Sequence, residues 1–435
     1  MNKLAETTIF PLADEASFKL RALRWAAQFQ TVCLLDSNSY ALDKYSTVEW
    51  MLAVDALDFC MDKTNSFEAL KVFTANASDK IFGYLSYDLK NQVEHLTSEN
   101  PDGIGFPLMY FFKPRYIIEV KEGKVTFNRN YPEAFDLYER IMTTDDGRGT
   151  TANAFIPLSL TPRTPRDKYI SSVNSIKQQI TSGDFYEMNY CCEFYAENTK
   201  IKPLSVFEKL NESAKAPFTS FFKLGEKYLL CASPERFLKK TGNKIISQPI
   251  KGTIKRGATP EEDQLLKDQL LHSVKERAEN VMIVDLVRND LARSARTDTV
   301  RVDELFGIYE FPTVHQMIST VTAEAMDDIH PVDIICNAFP MGSMTGAPKV
   351  EVMKNIEAFE DQKRGLYSGA VGYFTPDGDF DLNVVIRSIF YNATSQYLSI
   401  QVGGAITYDA DSEAEYEEML LKAKGMLAAL NTKIK

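Results

Sequence analysis

One lysine, one turn glutamate and two pairs of helical glutamates are the side chains here whose types and spacing could do chemistry. Lys251 lies in Pro249-Ile250-Lys251-Gly252-Thr253-Ile254-Lys255-Arg256-Gly257, just after the alternating run Lys244-Ile245-Ile246-Ser247-Gln248. That run has a period of two and reads as a strand. The lysine is therefore at or near a strand end, beside a glycine that lets another group approach the backbone closely. It reads either as a catalytic amine or as a solvated strand lysine. Thr259-Pro260-Glu261-Glu262 then opens a helix, with Thr as N-cap and Pro at the first position. The pattern runs on as one long helix through Lys275-Glu276-Arg277-Ala278-Glu279-Asn280.

On that helix Glu276 and Glu279 share a face at i and i+3, and Ile283 and Leu286 continue the stripe. Two acids at the head of an apolar stripe are costly unless they are paired or bound to a cation. Flanking Lys275 and Arg277 keep a solvated face open as the alternative. Glu415 and Glu418 repeat the spacing on the last helix, with Lys422 four residues further on. There Ser412 with Glu415 reads as a capping box, and Glu418 with Lys422 as an ion pair. The two pairs together make a cradle for one divalent ion. A hard cation takes oxygen ligands, and magnesium in particular is usually held by few carboxylates and by the substrate's own anions.

Other segments offer anion sites. Gly342-Ser343-Met344-Thr345-Gly346-Ala347-Pro348-Lys349 is glycine-rich and leads into a helix, but it lacks the spacer of a nucleotide-binding P-loop. Its turn still presents free backbone N–H groups. Gly403-Gly404 allows another close approach, and Arg387, after Val384-Val385-Ile386, could clamp a carboxylate through two parallel hydrogen bonds. Glu235 sits in the turn Ser233-Pro234-Glu235-Arg236-Phe237. His315 opens a strand or helix and is the most interesting of four histidines; a structural role is the plain alternative. No Ser-His-Asp or Cys-His arrangement and no His-rich metal motif is present.

The elements that must position these groups alternate between strands and helices. Residues 13–29 and 165–180 read as amphipathic helices. Strands are expected at 31–35, 81–88, on both sides of Glu122-Gly123, and at 185–195, 228–232, 368–374, 380–391 and 398–406; a final helix starts at Ser412. Residues 143–166, rich in Thr, Gly, Asp and Pro, are the expected linker between an N-terminal part (1–160) and a chemistry-bearing part (161–435). The expected class is α+β, an α/β sandwich of large, mixed, mostly antiparallel sheets flanked by helices.

The 435 residues suffice for a sizeable core, and 44% apolar with 25% charged residues is globular composition. A net charge of −11 argues against nucleic acid or an anionic membrane surface as the main partner. The N-terminus lacks the apolar core of a secretory signal, and no apolar run is long enough to span a bilayer. Six scattered cysteines show no metal-ligand spacing, and adjacent Cys191 and Cys192 would face opposite sides of a strand. The expectation is reduced thiols in a cytoplasm.

Taken together, the blocks at 182–189, 233–237, 249–257, 275–291, 339–349, 367–373 and 403–422 closely resemble the chorismate-utilising enzymes. That family comprises component I of anthranilate synthase, component I of aminodeoxychorismate synthase, and the isochorismate and salicylate synthases. The blocks occur in the family's order, and the N-terminal part matches only loosely. The resemblance implies chorismate as substrate and magnesium as cofactor. Glu279 and Glu418 would bind the metal directly, and Glu276 and Glu415 directly or through water. Arg387, the backbone at Gly403-Gly404, Lys422 and Tyr367 would hold the substrate's carboxylates. Glu235 would be the general acid that protonates the departing 4-hydroxyl, and His315 and Thr345 would line the ring pocket.

Lysine at the position of Lys251 marks the aminodeoxychorismate branch of that family, since the anthranilate and isochorismate synthases carry alanine there. The resemblance thus implies a covalent lysine intermediate, 4-amino-4-deoxychorismate as product for 4-aminobenzoate and folate synthesis, and ammonia from a glutamine amidotransferase subunit. Anthranilate synthase component I, or a catalytically silent tryptophan- or partner-binding subunit, are the alternatives. A nucleophilic Lys251 would need a lowered pKa, with desolvation, Arg256 and magnesium acting to lower it and the neighbouring acids to raise it. Glu187-Met188-Asn189 departs from the Gln-Val-Asn common among relatives, and the water-adding members have a lysine base where Glu187 stands. Leu34-Leu35-Asp36-Ser37 resembles the family's tryptophan-binding segment, with Ser37 its site residue; a strand ending in a polar turn is the other reading.

Overall fold

The computed structural model describes residues 8–129, 132–147 and 158–435. Its sheet strands read as unbroken apolar runs because both faces are covered. In Trp50–Cys60, Trp50, Leu52 and Val54 enter one core while Met51 and Ala53 enter the other. The period of two does the same at Cys191 and Cys192, which lie in different cores as their adjacency implied. One core is roofed by the helices Glu15–Ala26, Pro203–Ala214 and Ser412–Leu430, through residues such as Phe18, Phe207 and Met419. Apolar residues of the helices Val274–Ala292 and Pro331–Ala338 enter the other.

Strands from early and late in the chain pair with one another. Thr31–Asp36 lies between Trp50–Cys60 and Phe218–Leu224, and Ile81–Leu85 between Met109–Lys121 and Ala370–Phe374. Among the described residues every pairing is antiparallel except that of Lys433–Ile434 with Ser159–Pro162. The architecture is the α+β class expected, with one mixed, almost wholly antiparallel sheet. No helix among the described residues is long and apolar enough to cross a membrane.

Several local expectations needed correction, among them the strand at 81–88, which ends at Leu85 before a short 3₁₀ helix, Tyr87–Leu89. The long helix after Thr259 is two helices, Pro260–His272 and Val274–Ala292, because Ser273 takes extended geometry and its side chain caps the second by accepting from the Glu276 N–H. The last helix is capped by Asp411 rather than by Ser412 with Glu415, and Glu415 is thereby free to face inward. The expected strand at 380–391 is broken into Phe380–Asn383 and Ser388–Asn392, with Arg387 between them at φ +53°. Of the expected linker, residues 148–157 lie outside the described residues, as do residues 1–7 at the N-terminus.

Candidate active site

Lys251 is the second residue of the strand Ile250–Lys255, one face of which lies against Val274–Ala292. Gly252 follows at φ +93°, and a Cβ there would lie 3.0 Å from Glu276 Oε2, so the glycine is what lets helix and strand meet. The Lys251 side chain is buried, and its Nζ donates to Glu187 Oε1 at 2.5 Å. Burial pulls its pKa down, but Glu187, Glu279 and Glu235 outweigh burial and hold it above the usual lysine value. The expected lowering is therefore not found. Arg256, expected to help, is turned away and forms two hydrogen bonds with Asp263, at 2.8 Å each.

Glu235 lies between the strands Lys227–Ser233 and Arg236–Thr241, where Ser233 Oγ accepts from its N–H at 3.2 Å. Its Oε1 accepts from Ser343 Oγ at 2.6 Å. Burial pushes this carboxyl up to about 7, against the pull of Ser343, Lys251 and a backbone N–H. A carboxyl raised this far can hold a proton near neutral pH, which suits an acid catalyst.

These two groups open onto a cleft of about 960 Å³, counting its mouth, that also holds Glu276, Glu279, Glu415 and Glu418. The four acids that the sequence places on two helices thus share one site. Burial pushes Glu279 up to about 7 and raises Glu276 and Glu415, while Lys422 at 2.9 Å helps hold Glu418 below its usual value despite burial. Lys275 stands between two of them, 3.2 Å from Glu415 and 3.9 Å from Glu279. Among the described residues no three His, Cys, Asp or Glu side chains are already drawn together as a metal cluster. The donor set nevertheless suits a hard cation: carboxylate oxygens only, one of them, Glu279 Oε1, buried without a hydrogen-bond partner.

Tyr367, Arg387, Gly403, Gly404 and Lys422 line the same cleft. Lys422 Nζ donates to the Gly403 carbonyl at 3.0 Å. A Cβ on Gly403 would lie 2.4 Å from the Tyr190 carbonyl oxygen, and one on Gly404 3.3 Å from both Glu415 Oε2 and Lys422 Nζ. Arg387 is half-buried and donates only to the Lys422 carbonyl, at 3.3 Å. Among the described residues no carboxylate lies within 4 Å of its guanidinium, and its left-handed backbone is the kind of strain that clusters at ligand clamps.

Two expected pocket residues stand elsewhere. His315 is fully buried, with Nε2 2.8 Å from Asp263 Oδ1, and does not line the cleft. Its strand neighbour Gln316 does, with a buried Oε1 that has no hydrogen-bond partner, because successive residues of Val314–Glu324 face opposite ways. Thr345 turns its hydroxyl back to the Met341 and Gly342 carbonyls, and its neighbours Ser343 and Met344 form the wall instead. Sequence reasoning passed over Gln316, Ser343, Asn189 and Lys275; only the strand alternation at 314–324 carried a usable signal for one of them. Ser37 lies on a separate cleft of about 400 Å³ with Asp36, Phe218, Thr219 and Arg236, and its hydroxyl donates to the Glu49 carbonyl at 3.1 Å.

A buried pair behind the cleft keeps its walls in register. Arg364 binds Glu360 through Nη2 at 2.6 Å and Nε at 3.0 Å, and donates to the Met344 and Asn189 carbonyls. Glu360 in turn accepts from the Cys191 N–H at 2.9 Å. One ion pair thus ties the strand Glu187–Ala196 to the turn bearing Ser343.

Comparison with known proteins places this site in context. The chain is 36% identical over 353 residues to aminodeoxychorismate synthase component 1 of Klebsiella aerogenes, covering 80% of this chain and 77% of that one. It is 43% identical over 269 residues to the chloroplastic aminodeoxychorismate synthase of Arabidopsis thaliana, covering 61% of this chain but only 29% of the plant protein's length. Its fold matches the crystal structure of anthranilate synthase component I from Streptococcus pneumoniae TIGR4 with a TM-score of 0.77 at 24% identity, over 86% of this chain and 91% of that one. Residues 29–428 match the chorismate binding enzyme family, and the chain belongs to that family.

Proposed function

We propose that the chain is component I of an aminodeoxychorismate synthase, a cytoplasmic enzyme that converts chorismate and ammonia to 4-amino-4-deoxychorismate for 4-aminobenzoate and folate synthesis. A glutamine amidotransferase partner supplies the ammonia. The observation that carries this reading is a buried lysine amine in the same cleft as a carboxyl poised near 7. An amine there can attack ring carbon 2 as both ring double bonds shift and the C4–oxygen bond breaks. Glu235 delivers its proton to the departing oxygen, so that water leaves instead of hydroxide, a contribution of roughly 10²–10⁴ in rate. Ammonia then bonds to carbon 4, the C2–nitrogen bond breaks, and Lys251 is regenerated. The Glu235 carboxylate takes the proton shed by the new amine.

Arg387, with no carboxylate partner among the described residues, clamps one substrate carboxylate, with Tyr367, Lys422 and the backbone at Gly403-Gly404 completing the anion sites. A magnesium ion is proposed on Glu279 and Glu418, with Glu276 and Glu415 beside it or reaching it through water. When bound, it neutralises carboxylate charge that the substrate would otherwise meet. The Ser37 cleft is proposed to take tryptophan, and loss of tryptophan binding in Ser37→Ala, read by titration calorimetry, tests that site.

The activity is tested by incubating the purified chain with chorismate, magnesium and ammonium salt, and resolving the products with and without aminodeoxychorismate lyase. Product that the lyase converts to 4-aminobenzoate, lost in Lys251→Ala, is the expected outcome. Fluorescent anthranilate overturns the reading in favour of an anthranilate synthase. Undiminished activity in Lys251→Ala overturns the covalent route.

A further inference from the structure

Glu187 is used by no step above, yet it is the closest polar partner of the proposed nucleophile. It starts the strand Glu187–Ala196, is 1% exposed, and accepts from Lys251 Nζ through Oε1 at 2.5 Å. Its second oxygen, Oε2, is buried with no hydrogen-bond partner among the described residues. Among the described residues the Lys251 ammonium is thus the only hydrogen-bond donor to this carboxylate. The strand is also well anchored two residues on, where the Asn189 carbonyl accepts from Arg364 and its N–H donates to the Thr345 carbonyl.

Resting on the reading of Lys251 as nucleophile, we propose that Glu187 is its proton partner, a positioning residue that aims the ammonium group at rest and takes its proton when substrate is attacked. The transfer turns the ammonium–carboxylate pair into a neutral amine and a carboxylic acid. The amine's lone pair forms the bond to carbon 2, leaving a charged secondary amine. When that bond breaks, the electron pair returns to nitrogen, and the neutral amine recovers its proton from Glu187. No co-reactant is needed, and the pair ends as it began. The other ionisable groups facing Lys251 have different engagements. Glu235 is bonded to Ser343, Glu279 lies on the helix Val274–Ala292 near Lys275, Glu418 pairs with Lys422, and Glu276 shares the charges of Lys275 and Lys422. A glutamine at 187 would still hold the lysine but could not take its proton.

The test compares the full-length chain with Glu187→Gln and Glu187→Asp in two measurements. The first is the pH dependence of Lys251 labelling by acetic anhydride without substrate, read by peptide mass spectrometry, with Lys275 and Lys422 as internal references. Replacing the charged acceptor by a neutral one is expected to move the Glu187→Gln midpoint down by about one to two pH units. The references stay in place, and Glu187→Asp restores part of the shift. The second is turnover with ammonium salt, where Glu187→Gln is expected to lose roughly 10²-fold or more in kcat while KM for chorismate stays within about threefold. An unmoved labelling midpoint overturns the pairing, and a kcat equal to or above that of the parent overturns the proton transfer. A parent chain that makes no aminodeoxychorismate overturns the proposed activity instead, and the labelling shift still decides the pairing.

Discussion

Ser343→Ala should move the alkaline limb of the chain's activity upward. The proposed acid, Glu235, can donate only while protonated, and its carboxyl is held at about 7, so kcat/KM for chorismate should fall as pH rises through 7. Ser343 Oγ donates to Glu235 Oε1 at 2.6 Å, a bond that favours the charged form and holds the pKa below what burial alone would set. A hydrogen bond to a charged acceptor contributes about 1.5–3 kcal/mol. At roughly 1.4 kcal/mol per pH unit, its removal should raise Glu235 by about one to two units and carry the limb to about 8–9.

The assay is kcat/KM for chorismate between pH 6 and 9.5, with free ammonia held constant so that its own titration drops out. The variant should outperform the parent in relative terms above about pH 8, whatever it loses at its own optimum. Glu235→Gln serves as control, because it has no proton to lose and should show no such limb. A limb that stays near 7 in Ser343→Ala, or moves down, would refute the assignment of that limb to Glu235.

Four substitutions report on the same framework. Glu235→Gln should stabilise the fold as pH rises. The native carboxyl costs nothing below its ordinary value near 4.5 and about 3 kcal/mol above 7, so urea unfolding should show the variant's advantage growing between those limits. Gly403→Ala should destabilise strongly, since its Cβ would meet the Tyr190 carbonyl at 2.4 Å; Gly404→Ala meets only the ends of flexible side chains, and should fold yet bind chorismate at least about tenfold more weakly. Arg364→Met leaves Glu360 buried and unpaired, and should cost about 3–5 kcal/mol in urea unfolding.

How far the sequence could be read follows from which signals are local. Spacing at i and i+3 marked both glutamate pairs, and strand periodicity with a glycine marked Lys251, because such patterns depend on one element alone. The break at Ser273 was missed because a serine between two helical patterns gives no composition change. The cap at Asp411 was missed because Ser412 and Glu415 satisfied the capping-box pattern one position late. His315 and Gln316 differ by one residue, and on a strand one residue is the difference between the cleft and the opposite face. Contacts such as Glu187 to Lys251 and Ser343 to Glu235 span 64 and 108 residues, and no spacing rule reaches that far. Glu187, standing where relatives often have glutamine, was a sequence sign that something there had changed.

Charge in the cleft leads to a last prediction, on how substrate and metal bind. Glu235, Glu276, Glu279, Glu415 and Glu418 line it against Lys251, Lys275, Arg387 and Lys422. Three of those cations are already taken: Lys251 by Glu187, Lys275 by Glu415 and Lys422 by Glu418. Only Arg387 has no carboxylate partner among the described residues, so a dicarboxylate substrate would meet one uncommitted guanidinium and a surplus of acids. A divalent cation among the glutamates reverses that balance, and the proposed metal and chorismate should therefore bind with positive coupling. Coupling of this kind is typically 1–3 kcal/mol, about 5–150-fold in affinity, and must be equal in both directions. Calorimetry on Lys251→Ala in ammonia-free buffer should find chorismate tightened by magnesium relative to EDTA, and magnesium tightened by chorismate by the same factor. Glu279→Gln and Glu418→Gln should shrink the factor. A chorismate affinity indifferent to EDTA would mean that Arg387 and the backbone at Gly403-Gly404 suffice for the dianion, and that the four glutamates serve Lys275 and Lys422 rather than a metal.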